Sequence, residues 1–179
     1  FAVDNVKCPA DKALARAAGS DGEILVTADP GAVLAADRIV LPGVGAFGDC
    51  MSGLKAISGM VEALKEKVIS RGAPFLGICV GMQLLATMGR EFGDHEGFGW
   101  IAGEVVKIAP GDSSLKIPHM GWNELQFLRP HPVFAGIDKG AHAYFFHSYE
   151  LKPASAADRI AVTDYGGPVS RAVGRDDIV

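Results

Sequence analysis

The sequence predicts an α/β fold: a mostly parallel sheet covered on both faces by helices, followed by a β-rich second half. Three observations carry this. Short apolar runs alternate with helical patterns up to Gly89, the signature of strand–helix–strand units. Within the helical stretch, Leu54, Ile57, Val61, Leu64 and Val68 recur at three- and four-residue spacing. Beyond Gly89 the texture changes to short β-type runs separated by Pro and Gly. A chain of 179 residues suits one domain, and 49% hydrophobic content supplies ample core material.

Each element has a local reason. Phe1-Ala2-Val3 reads as the end of a first strand, and Pro9 to Ala18 as a helix stopped by Gly19. Glu23 to Thr27 reads as a short strand. Asp29-Pro30 places an N-cap before a proline at the first helical position, opening a helix through Ala35. Arg38 to Leu41 is a strand closed by Pro42. Asp49 to Ile57 and Met60 to Ser70 are helical. Pro74 to Leu85 begins as a buried strand and turns sharply into a helix at Gly77-Ile78-Cys79-Val80-Gly81. Glu91 to Gly99 reads as a loop, and Glu104–Ala109, Glu124–Phe127, Ala143–Tyr149, Arg159–Thr163 and Val169–Val173 as strands in antiparallel or mixed order. No internal repeat, low-complexity segment or linker interrupts the chain.

Composition excludes several classes of function. A net charge of −4 without any Lys/Arg run argues against a nucleic-acid surface. Cys8, Cys50 and Cys79 are odd in number and scattered, so neither a disulfide framework nor a zinc site is expected, and a reducing, cytoplasmic setting is. The longest apolar run, Ala73 to Gly89, is broken by Gly, Cys and Gln and is too short to span a membrane. No secretory signal stands at the start; because the first residue is Phe1, the natural N-terminus is expected upstream.

Gly-x-Cys-x-Gly is the thiol counterpart of the nucleophile elbow. Small flanking residues permit the tight turn, which lifts the Cys79 sulfur off the sheet edge towards the positive end of the next helix. That position is expected to favour a thiolate. A buried structural cysteine is the plain alternative. Leu41-Pro42-Gly43-Val44-Gly45-Ala46-Phe47-Gly48 ends a strand in a glycine-rich loop whose free N–H groups, with that of Val80, suit a tetrahedral oxyanion. No Gly-Lys-Ser/Thr follows, so it is not a phosphate-binding P-loop. A thiolate enzyme needs a general base. Of five histidines, His95 sits in a charged loop and reads as solvated, and His131 and His142 lie in turns. His119 and His147 have more structured surroundings, and local chemistry does not choose between them. Trp122 suits either an exposed interface anchor or an inward aromatic in a β-turn.

Together these motifs resemble the class I (triad) glutamine amidotransferases, and within them the glutaminase subunits of imidazole glycerol phosphate synthases. The matching segments are Leu-Pro-Gly-Val-Gly-Ala-Phe at 41–47, Leu-Gly-Ile-Cys-Val-Gly-Met-Gln-Leu-Leu at 76–85, Pro-His-Met-Gly-Trp-Asn at 118–123 and Phe-His-Ser-Tyr at 146–149. Asp164-Tyr165-Gly166 and Ala172-Val173-x-Arg175 also fit, so the resemblance spans nearly the whole chain. It implies a flavodoxin-like three-layer domain that uses no cofactor or metal. Cys79 would attack the side-chain amide of glutamine and form a glutamyl thioester. Gly43, Val44, Gly45 and Val80 would serve the oxyanion, while Gln83, Glu91, His147, Ser148 and Tyr149 would hold the substrate. His147 is then a binding residue, not the base. Ammonia would pass to a cyclase subunit with a (β/α)8 barrel, for histidine biosynthesis. Pro118, His119, Met120, Gly121, Trp122 and Asn123, with the Gly43–Gly45 loop, are the expected docking face.

Two departures from the family pattern stand out. The family's base and orienting acid lie in Gln-Phe-His-Pro-Glu-Lys, just after a segment resembling Arg175 to Val179, so the triad's His and Glu are expected beyond Val179. The first strand of the family runs into Asp-Tyr-Gly-x-Gly-Asn, whereas Val3-Asp4-Asn5-Val6 passes directly from Asp to Asn, so residues are expected to be missing there. Three rival readings remain at this point: another class I amidotransferase subunit, a non-catalytic partner protein of the same fold, and a generic cysteine hydrolase using His119 or His147.

Overall fold

The computed structural model describes residues 24–179. The strand and helix expected within Phe1–Ala18, Glu23, Cys8 and the Asp4-Asn5 junction lie outside the described residues. Helix α1 (Pro30–Ala35) is capped as expected: the Asp29 carboxylate accepts from the Gly31 N–H at 2.9 Å, and Pro30 opens the helix. Strand β1 (Ile39–Gly43) runs through Pro42 and does not stop there. It pairs in parallel with β2 (Phe75–Cys79), Ile39 opposite Phe75 and Gly43 opposite Cys79. A proline removes one N–H but is tolerated where that N–H has no required partner. Between them lie α2 (Phe47–Ala56) and α3 (Met60–Lys65), the latter loosening into a π-helical turn over Glu66–Ser70. The periodic residues Leu54, Leu64 and Val68 are buried, as their spacing requires. Ile24–Thr27 is not a strand: it forms no ladder, and Ile24, Leu25 and Val26 are exposed. β propensity alone does not make a strand without a partner edge.

The β-rich half divides into three small sheets. Strands β3 (Met88–Gly89), β4 (His95–Glu96), β5 (Gly103–Lys107) and β9 (Tyr149–Pro153) form one, in the order β4-β3-β5-β9, with β3 parallel to β5 and the other pairs antiparallel. Strands β7 (Gln126–Phe127), β10 (Arg159–Asp164) and β11 (Pro168–Val173) form the second, both pairings antiparallel. Strands β6 (His119–Glu124) and β8 (His142–His147) form the third, also antiparallel. Trp122 therefore sits on a strand and not in a turn. The expected Glu91–Gly99 loop contains β4, and His95 is half-buried, not solvated. Gly48 explains this: a Cβ there would stand 2.7 Å from the His95 ring, so the ring packs where the helix has no side chain.

One core joins the halves. Leu41, Phe47, Leu54, Met60 and Leu64 pack with Leu84, Leu85, Ile101, Val105, Leu151 and Val173, all at most 1% exposed. Phe75, Trp100 and Phe98 extend it, with Phe75 edge-on to Trp100 at 5.2 Å and Trp100 stacked on Phe98 at 4.5 Å. The final residues complete the parallel part. Arg175 and Ile178 exchange backbone hydrogen bonds around a tight turn at Asp176-Asp177. Arg175 also grips the buried Asp158 carboxylate through two bonds, at 3.0 and 2.5 Å. This turn sends Ile178 and Val179 alongside β2 on the side away from β1. The Gly77 N–H donates to Val179 O at 2.6 Å, and the Val179 N–H to Phe75 O at 3.0 Å. Among the described residues no helix is long and apolar enough to cross a membrane.

Candidate active site

Cys79 is the last residue of β2 and the residue before α4 (Val80–Gln83). Its backbone stands at φ 58°, ψ −118°, a region that non-glycine residues occupy only when the surroundings enforce it. The enforcement is visible at the two flanking glycines. A Cβ on Gly77 would lie 2.6 Å from the Met82 nitrogen, and one on Gly81 would lie 1.8 Å from the Leu41 carbonyl oxygen. Strand, turn and helix thus approach too closely for any side chain at either position. Gly43 closes the same contact from β1, where a Cβ would meet the Gly81 nitrogen at 2.8 Å and Val80 Cβ at 3.0 Å. Three glycines from two motifs make one backbone knot with Cys79 at its rim, the residue open to solvent while the cavity walls partly desolvate its sulfur.

The electrostatics correct one expectation. Burial pushes the Cys79 thiol above its ordinary value, and the N–H of Val80, which donates to the sulfur, offsets this only in part. A four-residue helix contributes too small an end charge to reverse that balance. Alkylation of Cys79 by iodoacetamide in the chain without partner should therefore rise with pH, with its midpoint above that of an ordinary thiol. Mass spectrometry of the Cys79 peptide across pH 6–10 checks this; a rate already saturated at neutral pH would show a stabilised thiolate.

A cavity of about 240 Å³ opens beside the thiol, lined by Cys79, Met82, Gln83, His147, Tyr149 and Arg171 among others. Gln83 is buried, and its amide donates to the Tyr149 carbonyl at 3.4 Å. The elbow helix and the start of β9 are thereby joined across the cavity. Ser148 does not line it: it is the corner where β8 ends and β9 begins, and its carbonyl accepts from the Ile108 N–H at 2.9 Å. Glu91 does not line it either. Its carboxylate accepts the Phe47 N–H at 2.9 Å and so caps α2, whose own N-cap, Ala46, has no side-chain acceptor. In the loop, Val44 is 79% exposed and Gly45 holds φ 113° with nothing near its Cβ position. The Val44 carbonyl accepts from Cys50 Sγ at 3.5 Å, and burial raises the Cys50 thiol.

The two histidines held open by sequence part company here. His119 is buried, stacked between Tyr165 at 3.8 Å and Phe145 at 5.4 Å, and its Nδ1 is bonded to Arg171 Nη2. Burial, then the charges of Arg171 and His147, push it down to about 4, so it is neutral and a poor base near neutral pH. Burial lowers His147 too, but His147 lines the cavity. His119 is also unavailable to a partner. Strand alternation turns His119 inward and sends the Asn123 amide to the Asp164 carbonyl at 2.9 Å. The outward residues are Met120 and Trp122, 59% and 71% exposed, opposite Phe146 and Tyr144, 64% and 55% exposed. Trp122 meets Tyr144 edge-on at 5.7 Å. Of the 118–123 segment only Met120 and Trp122 are exposed. Arg171, which sequence reading passed over, enters the cavity from β11; no local motif marks it, because its neighbours are distant in sequence.

Comparison with known proteins finds relatives along nearly the whole chain. Residues 20–177 match the family described as glutamine amidotransferase class-I. The chain is 56% identical over 174 residues to the imidazole glycerol phosphate synthase subunit HisH of Rhodospirillum rubrum, covering 95% of this chain and 81% of that protein. It is 53% identical over 172 residues to the HisH of Caulobacter vibrioides, covering 94% and 80%. It is 54% identical over 176 residues to that of Brucella suis, covering 95% and 82%.

Proposed function

The chain belongs to the class-I glutamine amidotransferases, within the HisH subunits of imidazole glycerol phosphate synthase, and from that premise we propose how its residues serve glutamine hydrolysis. Cys79 attacks the side-chain carboxamide carbon of glutamine, ammonia leaves, and water hydrolyses the glutamyl thioester to glutamate. The observation that carries this is the backbone knot that holds Cys79 at positive φ on the rim of a cavity shared with Gln83, His147 and Tyr149. The Val80 N–H and the Gly43–Gly45 loop stabilise the oxyanion. Gly45 is the adaptable member, since nothing restrains its Cβ side. Gln83, His147 and Tyr149 contact the substrate, and Glu91 and Ser148 hold the walls that position them.

The base is not supplied by His119, for the reasons of burial and pairing given above. We place the triad's His and Glu in residues that follow Val179. In support, Val179 is already paired with Gly77, and Cys79 stands two residues further along β2 in the same parallel direction. A strand continued in that register passes directly beside the thiol. We read residues 1–179 as one flavodoxin-like three-layer domain, with β1, β2 and the Ile178–Val179 segment in its parallel sheet.

The partner is a cyclase subunit with a (β/α)8 barrel, which uses the ammonia to make imidazole glycerol phosphate. Ammonia transfer within a complex avoids its protonation in bulk water. The apolar ladder of Met120, Trp122, Tyr144 and Phe146 is the docking face, an exposed patch of the kind that marks interfaces. Glutamate release should be negligible from the subunit alone and strongly stimulated by the cyclase. Trp122→Ala should weaken the complex by about 2 kcal/mol, roughly 30-fold in Kd, without lowering Tm. High turnover without the partner, or undiminished binding by the variant, would contradict this arrangement.

A further inference from the structure

Among the described residues Phe92 is the most exposed large apolar side chain, at 86%, and it is also one of three non-glycine residues at positive φ, here 56°. A bulky residue enters that region only when its surroundings force it there. Those surroundings are firmly tied. Strands β3 and β4 form a hairpin, with Gly89 opposite His95, and Phe92 is the middle residue of its loop, 90–94. Arg90 Nη1 meets the Asp94 carboxylate at 2.7 Å across the base of the loop, and Arg90 Nη2 meets Glu104 on β5 at 2.5 Å. The Arg90 N–H donates to the Val105 carbonyl at 2.9 Å. The Glu91 carboxylate accepts the Phe47 N–H, and past the loop the His95 ring lies against Gly48. The chain on both sides of the tip is fixed, while the ring at the tip is left in solvent.

A strained backbone that buries no apolar surface is not offset within the chain. The place of the loop supplies a reason for it. Glu91, next to Phe92, is bonded to Phe47, and Phe47 ends the loop that leaves β1 at Gly43, opposite Cys79. Val44 on that loop is the second most exposed large apolar residue, at 79%. The two most exposed apolar side chains thus stand on two loops joined by one hydrogen bond, and one of those loops starts beside the thiol. A protein that takes ammonia directly from Cys79 has to cover this rim. Resting on the proposed partner reading, we infer that Phe92 is a second docking anchor for the ammonia-consuming cyclase subunit, held out by the clamped β3–β4 hairpin to enter an apolar recess of that partner. The ladder on β6 and β8 is then one contact, and Phe92 with Val44 another. An aromatic ring already fixed in place loses little freedom on binding, so the strain carried by the free chain serves the complex.

The test uses the full-length protein and its purified cyclase subunit, with Kd from calorimetric titration and Tm of the free protein from thermal denaturation. Phe92→Ala should weaken binding about 10-fold and leave Tm within about 1 °C. Phe92→Gly should weaken binding as much while raising Tm by about 2–4 °C, because glycine adopts φ 56° without strain. Phe92→Tyr keeps the ring and should bind within a few-fold of wild type. Glutamate release at saturating cyclase should stay within a few-fold in all three, since Phe92 does not line the cavity of Cys79. Because Phe92→Gly moves affinity and stability in opposite directions, its weaker binding does not come from loss of folded protein. Undiminished binding by Phe92→Ala and Phe92→Gly, or a Tm for Phe92→Gly no higher than that for Phe92→Ala, overturns the inference. If Trp122→Ala weakens the complex while the Phe92 variants bind normally, the ladder stands as the docking face and only the role of Phe92 falls. Failure of the wild-type protein to bind the cyclase overturns instead the partner reading, and this one with it.

Discussion

Replacing Gly81 by Ala should destabilise the protein by more than about 3 kcal/mol, at the severe end for a single methyl group. The reason is that the new Cβ would stand 1.8 Å from the Leu41 carbonyl oxygen, and backbone cannot rotate away as a side chain can. Either β1 parts from the elbow, breaking the pairing of Gly43 with Cys79, or α4 shifts and carries Val80 and Gln83 out of place. For a chain of this size the Tm should fall by roughly 6–12 °C, with glutaminase activity lost at temperatures where the protein is still folded. Gly45→Ala is the internal comparison. It adds strain at φ 113° but meets no atom within 4 Å, so it should cost about 1–2 kcal/mol and leave the fold intact. Thermal denaturation of the two variants side by side checks the difference. Equal, small losses would mean that the close approach at Gly81 is not a feature of the working protein.

The second expectation has opposite signs for stability and activity. Cys79→Gly should reduce glutamine hydrolysis by at least about 10³-fold, because no other side chain on the rim can form the thioester. The same variant should be equally stable or up to about 1 kcal/mol more stable. Cys79 holds φ 58°, ψ −118°, a conformation natural to glycine and strained for cysteine. Loss of the thiol's packing offsets part of the gain. Cys79→Ala separates the two effects: it removes the nucleophile but keeps the strain, so it should be inactive without the stabilisation. Urea denaturation gives the stabilities and glutamate release the activities. Cys79→Gly less stable than Cys79→Ala would show that the elbow is not strained at this residue.

Much of the site could be read in one dimension because its parts are local. Gly77, Cys79 and Gly81 are neighbours in sequence, and the tight turn that needs them involves only their own backbone. Asp29-Pro30 was equally legible, since a helix cap is completed within three residues. The run of three- and four-residue spacings identified the buried face of α2 and α3 for the same reason. Strand boundaries were less legible. Pro42 stays within β1, and Ile24–Thr27 forms no strand, because pairing depends on a distant edge and not on propensity. The thiolate expectation failed on a similar point. Motif and helix start are sequence properties, but the partial desolvation of the sulfur is set by what surrounds it.

By itself the sequence determined the cysteine elbow, the glycine-rich loop that follows β1, the alternation of strand and helix, and the family resemblance that the comparisons bear out. Only the tertiary structure decided that His119 is buried, which residues of the 118–123 segment face outward, and that Glu91 caps α2. It alone brought Arg171 from β11 to the cavity of Cys79, with His119 and Phe145 holding it there. The physical reason is the range of the interactions. Turns, caps and periodic faces are settled among residues a few positions apart. Desolvation, ion pairing and the face a strand presents are settled by atoms that the chain brings together from far along its length.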